Sequence, residues 1–276
     1  MRAKDNCCNS CDVRENTTNA QSIPVERVAD KLDALLNRRD FEGALRHLKY
    51  WIAEAEALED PRGRFSLSNE LMGLYRKMGM GEEAQDCAAS TLALGESLGI
   101  MDDIGGATAF VNAATVYDAF GRPEDALPLF EKARTVYEKR LGAESPKLGG
   151  LYNNMALALA ATGRYREADA CFEKAMEIMG RAEHGGLEQA VTCLNMADAA
   201  EAELGAEAAE KHVNELLDKA QALLDDPALP REGYYAFMAD KCIGSFEYYG
   251  YFLYAKELKE RVKAIYKDMD EAEDKK

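Results

Sequence analysis

The chain has 276 residues, and its 50 acidic residues outnumber 34 basic ones, giving a formal net charge of −16. This balance argues against a nucleic-acid binder and against a surface held on anionic lipid, because both need a basic face. No apolar run is long enough to span a membrane, residues 1–24 carry no secretory-signal pattern, and the seven cysteines form no disulfide framework, so we expect a cytoplasmic globular protein.

The two ends of the chain differ in composition from its middle. Residues 1–22 are polar and are predicted to be a disordered tail, and residues 271–276 are predicted to be a charged tail. Cys7, Cys8 and Cys11 lie close together in the first tail, but no fourth Cys or nearby His completes a zinc site. We therefore expect incidental thiols and no metal. Metal or redox capture is the alternative.

Between the tails, a Gly that precedes an Ala by five residues recurs at a fixed period. The pairs are Gly79 and Ala84, Gly121 and Ala126, Gly163 and Ala168, and Gly250 and Ala255. The first three alanines are 42 residues apart, and a weaker copy at Ala44 has Arg39 in the Gly position. The 87 residues between the last two alanines leave room for one further unit, which the segment 194–197 marks. The chain is therefore a repeat protein.

In the five spaced copies, large apolar or small residues stand nine residues before the Ala and four and seven residues after it, except that the last copy has Lys259 four residues after its Ala. These offsets match one face of a helix, so each unit is predicted to be an amphipathic helix, a glycine turn and a second amphipathic helix. The helices predicted in chain order are 24–37, 40–58, 64–79, 81–98, 103–120, 123–140, 145–162, 165–180, 187–204, 207–224, 231–249 and 252–270. Cys87, Cys171, Cys193 and Cys242 lie at apolar positions of these helices and are expected to be packed core thiols.

This order of residues resembles the tetratricopeptide repeat. The best copy consists of Tyr152, Met155, Ala156, Leu159, Gly163, Ala168, Phe172 and Ala175. The period exceeds the usual 34 by eight residues, as in the repeats of kinesin light chains. The resemblance implies an all-α, right-handed α-solenoid over residues 23–270. Its six repeats are expected at about 23–60, 64–99, 103–141, 145–180, 187–225 and 231–270.

Asparagines recur fourteen residues before the Ala of the central repeats. Asn112 and Asn154 occupy this position, and Asn195 occupies the matching position of the fifth unit, off the apolar stripe in each case. The resemblance implies that the position lies on the concave face of the solenoid, where an amide can donate to and accept from a peptide backbone. The alternative is that these side chains bridge neighbouring helices.

The resemblance implies further groove positions and a charge for the groove. The other side chains expected to contact a ligand are Asn153, Thr115, Asp118, Asp198 and Glu201. Among all inward positions, the acidic residues are Asp30, Asp33, Glu70, Asp118, Asp198, Glu201, Asp240 and Glu247, and the basic ones are Arg76, Lys77 and Lys241. Such a groove is expected to prefer neutral or basic segments.

No residue pattern indicates catalysis. The three histidines are scattered, and the glycine pairs indicate close-packing points or linkers rather than a phosphate loop. We expect a non-enzymatic protein without cofactor, which serves as an interaction scaffold for a peptide or an extended partner segment. The alternatives are a receptor arm for a signalling peptide and a homodimer formed through the aromatic-rich sixth repeat.

Overall fold

The computed structural model describes residues 22–273, which form twelve α-helices and contain no β-strand. In chain order the helices are α1 (Val25–Asn37), α2 (Phe41–Ala57), α3 (Pro61–Lys77), α4 (Gly81–Leu98), α5 (Ile104–Ala119), α6 (Pro123–Leu141), α7 (Pro146–Ala161), α8 (Tyr165–Arg181), α9 (Gly186–Leu204), α10 (Ala206–Leu224), α11 (Gly233–Tyr248) and α12 (Phe252–Glu273). The all-α repeat fold is thus confirmed. The cysteines at 7, 8 and 11 and the tail that contains them lie outside the described residues.

Helix starts follow local capping chemistry. The Asp40 carboxylate accepts a hydrogen bond from the backbone N–H of Gly43 at 2.8 Å, and the Asp60 carboxylate accepts one from Gly63 at 2.9 Å. Because Asp60 caps α3 and Pro61 occupies its first position, this helix begins three residues before the predicted start.

The turns between paired helices adopt the left-handed backbone conformation that the glycine spacing predicts. Gly79, Gly121, Gly163 and Gly250 have φ between +72° and +83°. Arg39, which stands in the Gly position of the first repeat, adopts the same region with φ of 56°. One turn geometry therefore serves the first repeat as well as the glycine-containing ones.

The described residues fall into two compact units, residues 22–143 and residues 144–273. The first contains α1–α6 and the second α7–α12, three helix pairs each. Within each unit the two helices of every pair pack on each other, and the first helices of successive pairs also contact one another: α3 contacts α1 and α5, and α9 contacts α7 and α11. We call α1, α3 and α5, or α7, α9 and α11, the first-helix layer of the unit.

The repeat positions form the core of both units. The alanines of the five spaced copies, Ala44, Ala84, Ala126, Ala168 and Ala255, are all 0% exposed. Phe130 and Phe172, four residues after their alanines, are also fully buried. The predicted core position is confirmed for the thiols of Cys193 and Cys242, whereas Cys87 and Cys171 are only half-buried. Within residues 22–273, no helix combines the length and hydropathy needed to cross a bilayer.

Candidate functional site

In the first unit, the asparagine position joins two neighbouring repeats. Asn112 on α5 donates from its Nδ2 to the Oδ1 of Asn69 on α3 at 3.1 Å, and Asn69 is only 3% exposed. Thr115 donates to the carbonyl oxygen of Val111 in its own helix at 2.8 Å. Asp118, one turn further along α5, is half-buried, and burial raises the pKa of its carboxyl group.

In the second unit, three asparagines form a connected row. Asn195 on α9 donates from its Nδ2 to the Oδ1 of Asn153 on α7 at 2.9 Å. Asn153 in turn donates to the Oδ1 of its neighbour Asn154 at 3.3 Å. All three side chains are half-buried. The bridging alternative therefore describes the contact between Asn195 and Asn153, whereas Asn154 is bonded within its own helix.

A second row of contacts joins α9 to α11 through tyrosine hydroxyls and carboxylates. Tyr249 donates to Asp198 at 2.9 Å, and Tyr248 donates to Glu201 at 3.4 Å. Nearer the start of both helices, the hydroxyl of Tyr234 donates to Glu188. Three tyrosines of the sixth repeat are therefore hydrogen-bonded to three carboxylates of the fifth.

The resemblance places Asp198 and Glu201 on this face, but it does not indicate Glu188, Tyr234 or Tyr249. The spacing of α9 contains a signal that could have found Glu188, since it lies seven residues before Asn195 and so on the same side of the helix. No comparable signal distinguishes Tyr249 from its exposed neighbour Tyr248, because the choice depends on how α11 is rotated against α9.

Glu188, Asn195, Asp198 and Glu201 lie along one side of α9, and we call them the α9 row. This row is negatively charged. The helix contains four acidic residues and no Lys or Arg. Burial raises the pKa of the Asp198 carboxyl group, the hydrogen bond from Tyr249 lowers it, and the charge of Glu201 raises it again. Burial and the Asp198 carboxylate also raise the pKa of the Tyr249 hydroxyl, which therefore stays protonated and keeps donating at neutral pH.

This arrangement is suited to hydrogen bonding and to attracting positive charge. Along one face it combines amides that donate and accept with carboxylates that accept. Across residues 22–273, no three His, Cys, Asp or Glu side chains are grouped so that they could hold a metal ion.

Models of the tetratricopeptide repeat match residues 64–139 and residues 149–183 of the chain. No curated protein matches it at a significant level. Tetratricopeptide repeats generally serve as scaffolds for protein interactions.

Solved structures share the fold. BtubC (BKLC) from P. vanneervenii is 20% identical and has a TM-score of 0.62, over 75% of this chain and 84% of that one. A variant of the nearly identical TPR-like repeats of a kinesin light chain from Podosopora anserina is 20% identical with a TM-score of 0.50, over 74% of this chain and 95% of that one. Residues 64–139 and 149–183 therefore match the tetratricopeptide repeat, and the chain shares the fold of solved repeat structures of the kinesin-light-chain-like type.

Proposed function

We propose that the chain is a non-catalytic scaffold that binds an extended segment of a partner protein along a first-helix layer. The observation that carries this proposal is the polar row on α9, where Asn195, Asp198 and Glu201 follow one another along a single face. Their side chains are exposed or half-buried, so a ligand can reach them.

The asparagines are held in position before any ligand arrives. An amide can make up to four hydrogen bonds, and the bonds between Asn153, Asn154 and Asn195 use one or two sites of each. Because neighbouring amides already fix one another, binding a peptide backbone costs less side-chain entropy than it would for mobile groups. The bridging role and the ligand-binding role are thus compatible.

The charge of the row selects the ligand. Asp198 and Glu201 lie on a helix without basic residues, so a Lys- or Arg-containing segment is attracted and an acidic one is repelled. The attraction extends over a Debye length of about 8 Å at physiological salt. We infer a preference for neutral or basic segments.

An array of twelve-residue peptides with acidic, neutral and basic members tests the proposal. Wild type should bind neutral and basic members best, and the double variant Asn153→Ala/Asn195→Ala should bind them about tenfold more weakly, at 1.4 kcal/mol per tenfold. Asn214→Ala, which removes an exposed amide from α10 outside the first-helix layer, is the matched control and should bind like wild type. Tightest binding to acidic members, or equal losses in both variants, would contradict the proposal.

Self-association through the sixth repeat is the second candidate. It is favoured by the exposure of Tyr248, Phe252 and Leu253, which are 69%, 67% and 87% exposed. Light scattering on the full chain tests it, since a mass of about 30.5 kDa independent of concentration would rule out the dimer.

A further inference from the structure

The exposed apolar side chains of the molecule are concentrated at one place. Six large ones are exposed in the described part of the chain, namely Tyr50, Ile104, Leu204, Tyr248, Phe252 and Leu253. The last four lie at the two helix turns of the fifth and sixth repeats, at the ends of α9 and α11 and at the start of α12. We call these four residues the turn-edge patch.

Hydrogen bonds hold the two turns of the patch beside each other. Tyr248 donates to Glu201, which precedes Leu204 by three residues on α9. Tyr249 donates to Asp198 at 2.9 Å, and its ring packs edge-on against the ring of Tyr248 with centroids 4.9 Å apart. These contacts hold the rings of Tyr248 and Tyr249 in one orientation, so a partner need not order them on binding.

The rim of the patch is acidic. Residues 198–207 and 247–260, which carry the patch, contain seven acidic residues and two lysines. Lys259 is paired with Glu247 at 2.5 Å, and Arg261, the next residue after these segments, is paired with Glu257 at 2.7 Å. The other five carboxylates outnumber the remaining lysine, Lys256. An apolar surface with this rim is complementary to a segment that is both apolar and basic.

We propose that the turn-edge patch docks a segment of another protein in which large apolar side chains alternate with Lys or Arg. The apolar side chains of the partner bury Leu204, Phe252 and Leu253, and its cations meet the carboxylates and the face of the Tyr248 ring. A second copy of the chain fits less well, because it brings a net charge of −16 and the same acidic rim. This surface lies beyond the proposed asparagine row, and binding to it does not require the amides.

The probe is a fluorescein-labelled peptide with two copies of Lys-Leu-Arg-Phe-Lys-Leu. Its binding is measured by fluorescence anisotropy at physiological salt. Two comparison peptides replace its basic residues with Glu or its apolar residues with Ser. The probe should bind at least about tenfold more tightly than either, because it alone has both apolar side chains to contact the patch and cations to pair with its acidic rim. Equal or tighter binding of either comparison peptide would overturn the proposal.

The variant Phe252→Ser/Leu253→Ser should weaken binding of the probe by about tenfold or more, since two exposed contacts are lost. Tyr50→Ser removes an exposed aromatic from the other unit and should leave the affinity unchanged. Undiminished binding by the Phe252→Ser/Leu253→Ser variant would overturn the proposal, as would a dimer of the wild-type chain that this variant abolishes.

A further variant keeps the test independent of folding. Glu201→Gln retains a side-chain oxygen that can accept from Tyr248 but removes one rim charge. It should reduce the probe's affinity at low salt and leave the affinity at high salt near that of wild type. An identical salt dependence in this variant and wild type would contradict the electrostatic part of the proposal.

Discussion

In the proposed binding mode, Asn195 serves both stability and recognition. Its amide crosses from α9 to α7 and fixes the side chain of Asn153, while its remaining hydrogen-bonding sites can meet a ligand. A neutral amide suits this position better than a carboxylate, because it can donate to one partner and accept from another without carrying a charge into a half-buried layer.

Replacing Asn195 with Ala should lower the melting temperature. The change leaves the Oδ1 of Asn153 without this donor, and a lost hydrogen bond costs about 0.5–1.5 kcal/mol net, or roughly 2–4 °C per kcal/mol in a chain of this size. Asn214→Ala should match or exceed wild type, since Ala is the better helix former at an exposed position. Thermal unfolding followed by circular dichroism measures both, and an unchanged midpoint for Asn195→Ala would show that the bridge contributes nothing.

Two Gly-to-Ala substitutions should change the free energy of unfolding in opposite directions. Gly163 has φ of +76°, where a Cβ is strained, so Gly163→Ala should cost about 1 kcal/mol of unfolding free energy. Gly244 lies within α11 and has no neighbouring atom within 4 Å of the position that a Cβ would occupy, so Gly244→Ala should add about 0.5–1 kcal/mol. Urea unfolding gives both values. Stabilisation by Gly163→Ala would contradict the left-handed turn.

At the scale of the helix, much could be predicted from the sequence. The recurring Ala and Phe positions indicated the buried face of each pair, because a helix that packs on two neighbours needs small and large residues at fixed offsets. The contacts between polar faces could be predicted less well. Periodicity places Asn195 and Asp198 on one side of α9, but their partners depend on the axial offset and rotation between repeats, which are set by packing across the whole interface.

Acidification should stabilise the protein through carboxyl groups of its first helices. Burial raises the pKa of Asp118 above the ordinary 3.8, so the folded state takes up this proton at a higher pH than the unfolded chain. Through this group, the free energy of unfolding therefore increases as pH falls from 7 toward 4, because protonation removes the cost of burying the charged carboxylate. The groups of Asp33 and Asp198, whose pKa values burial also raises, act in the same direction.

Asp118→Asn removes this effect at one position. The variant should be more stable than wild type at pH 7, and its advantage should shrink as pH falls toward 4. Asp169→Asn, an exposed change on α8, is the matched control and should keep the pH dependence of wild type. Melting temperatures of the variants and wild type across this range measure the effect. If the stability advantage of Asp118→Asn grew on acidification, the expected pH dependence would be contradicted.

For the whole molecule, the repeat fold alone does not determine a partner, because many partners can bind one architecture. What distinguishes this chain is the distribution of its −16 net charge and of its exposed apolar groups. In the proposals above, the negative α9 row selects basic ligands, and the turn-edge patch adds apolar contact beside it. Both features follow from side chains that the core does not constrain, so they can vary between repeat proteins without altering the fold.

The central claim is that the partner lies on a first-helix layer, and site-specific photo-cross-linking tests it most directly. A benzophenone side chain is placed at Leu157, half-buried on α7 one turn past Asn154, or at exposed Asn214 on α10. In extract of the native cell, we predict a covalent adduct from position 157 that is lost in the Asn153→Ala/Asn195→Ala background, and none from position 214. An adduct from position 214 alone, or one from position 157 that survives this background undiminished, would contradict the account.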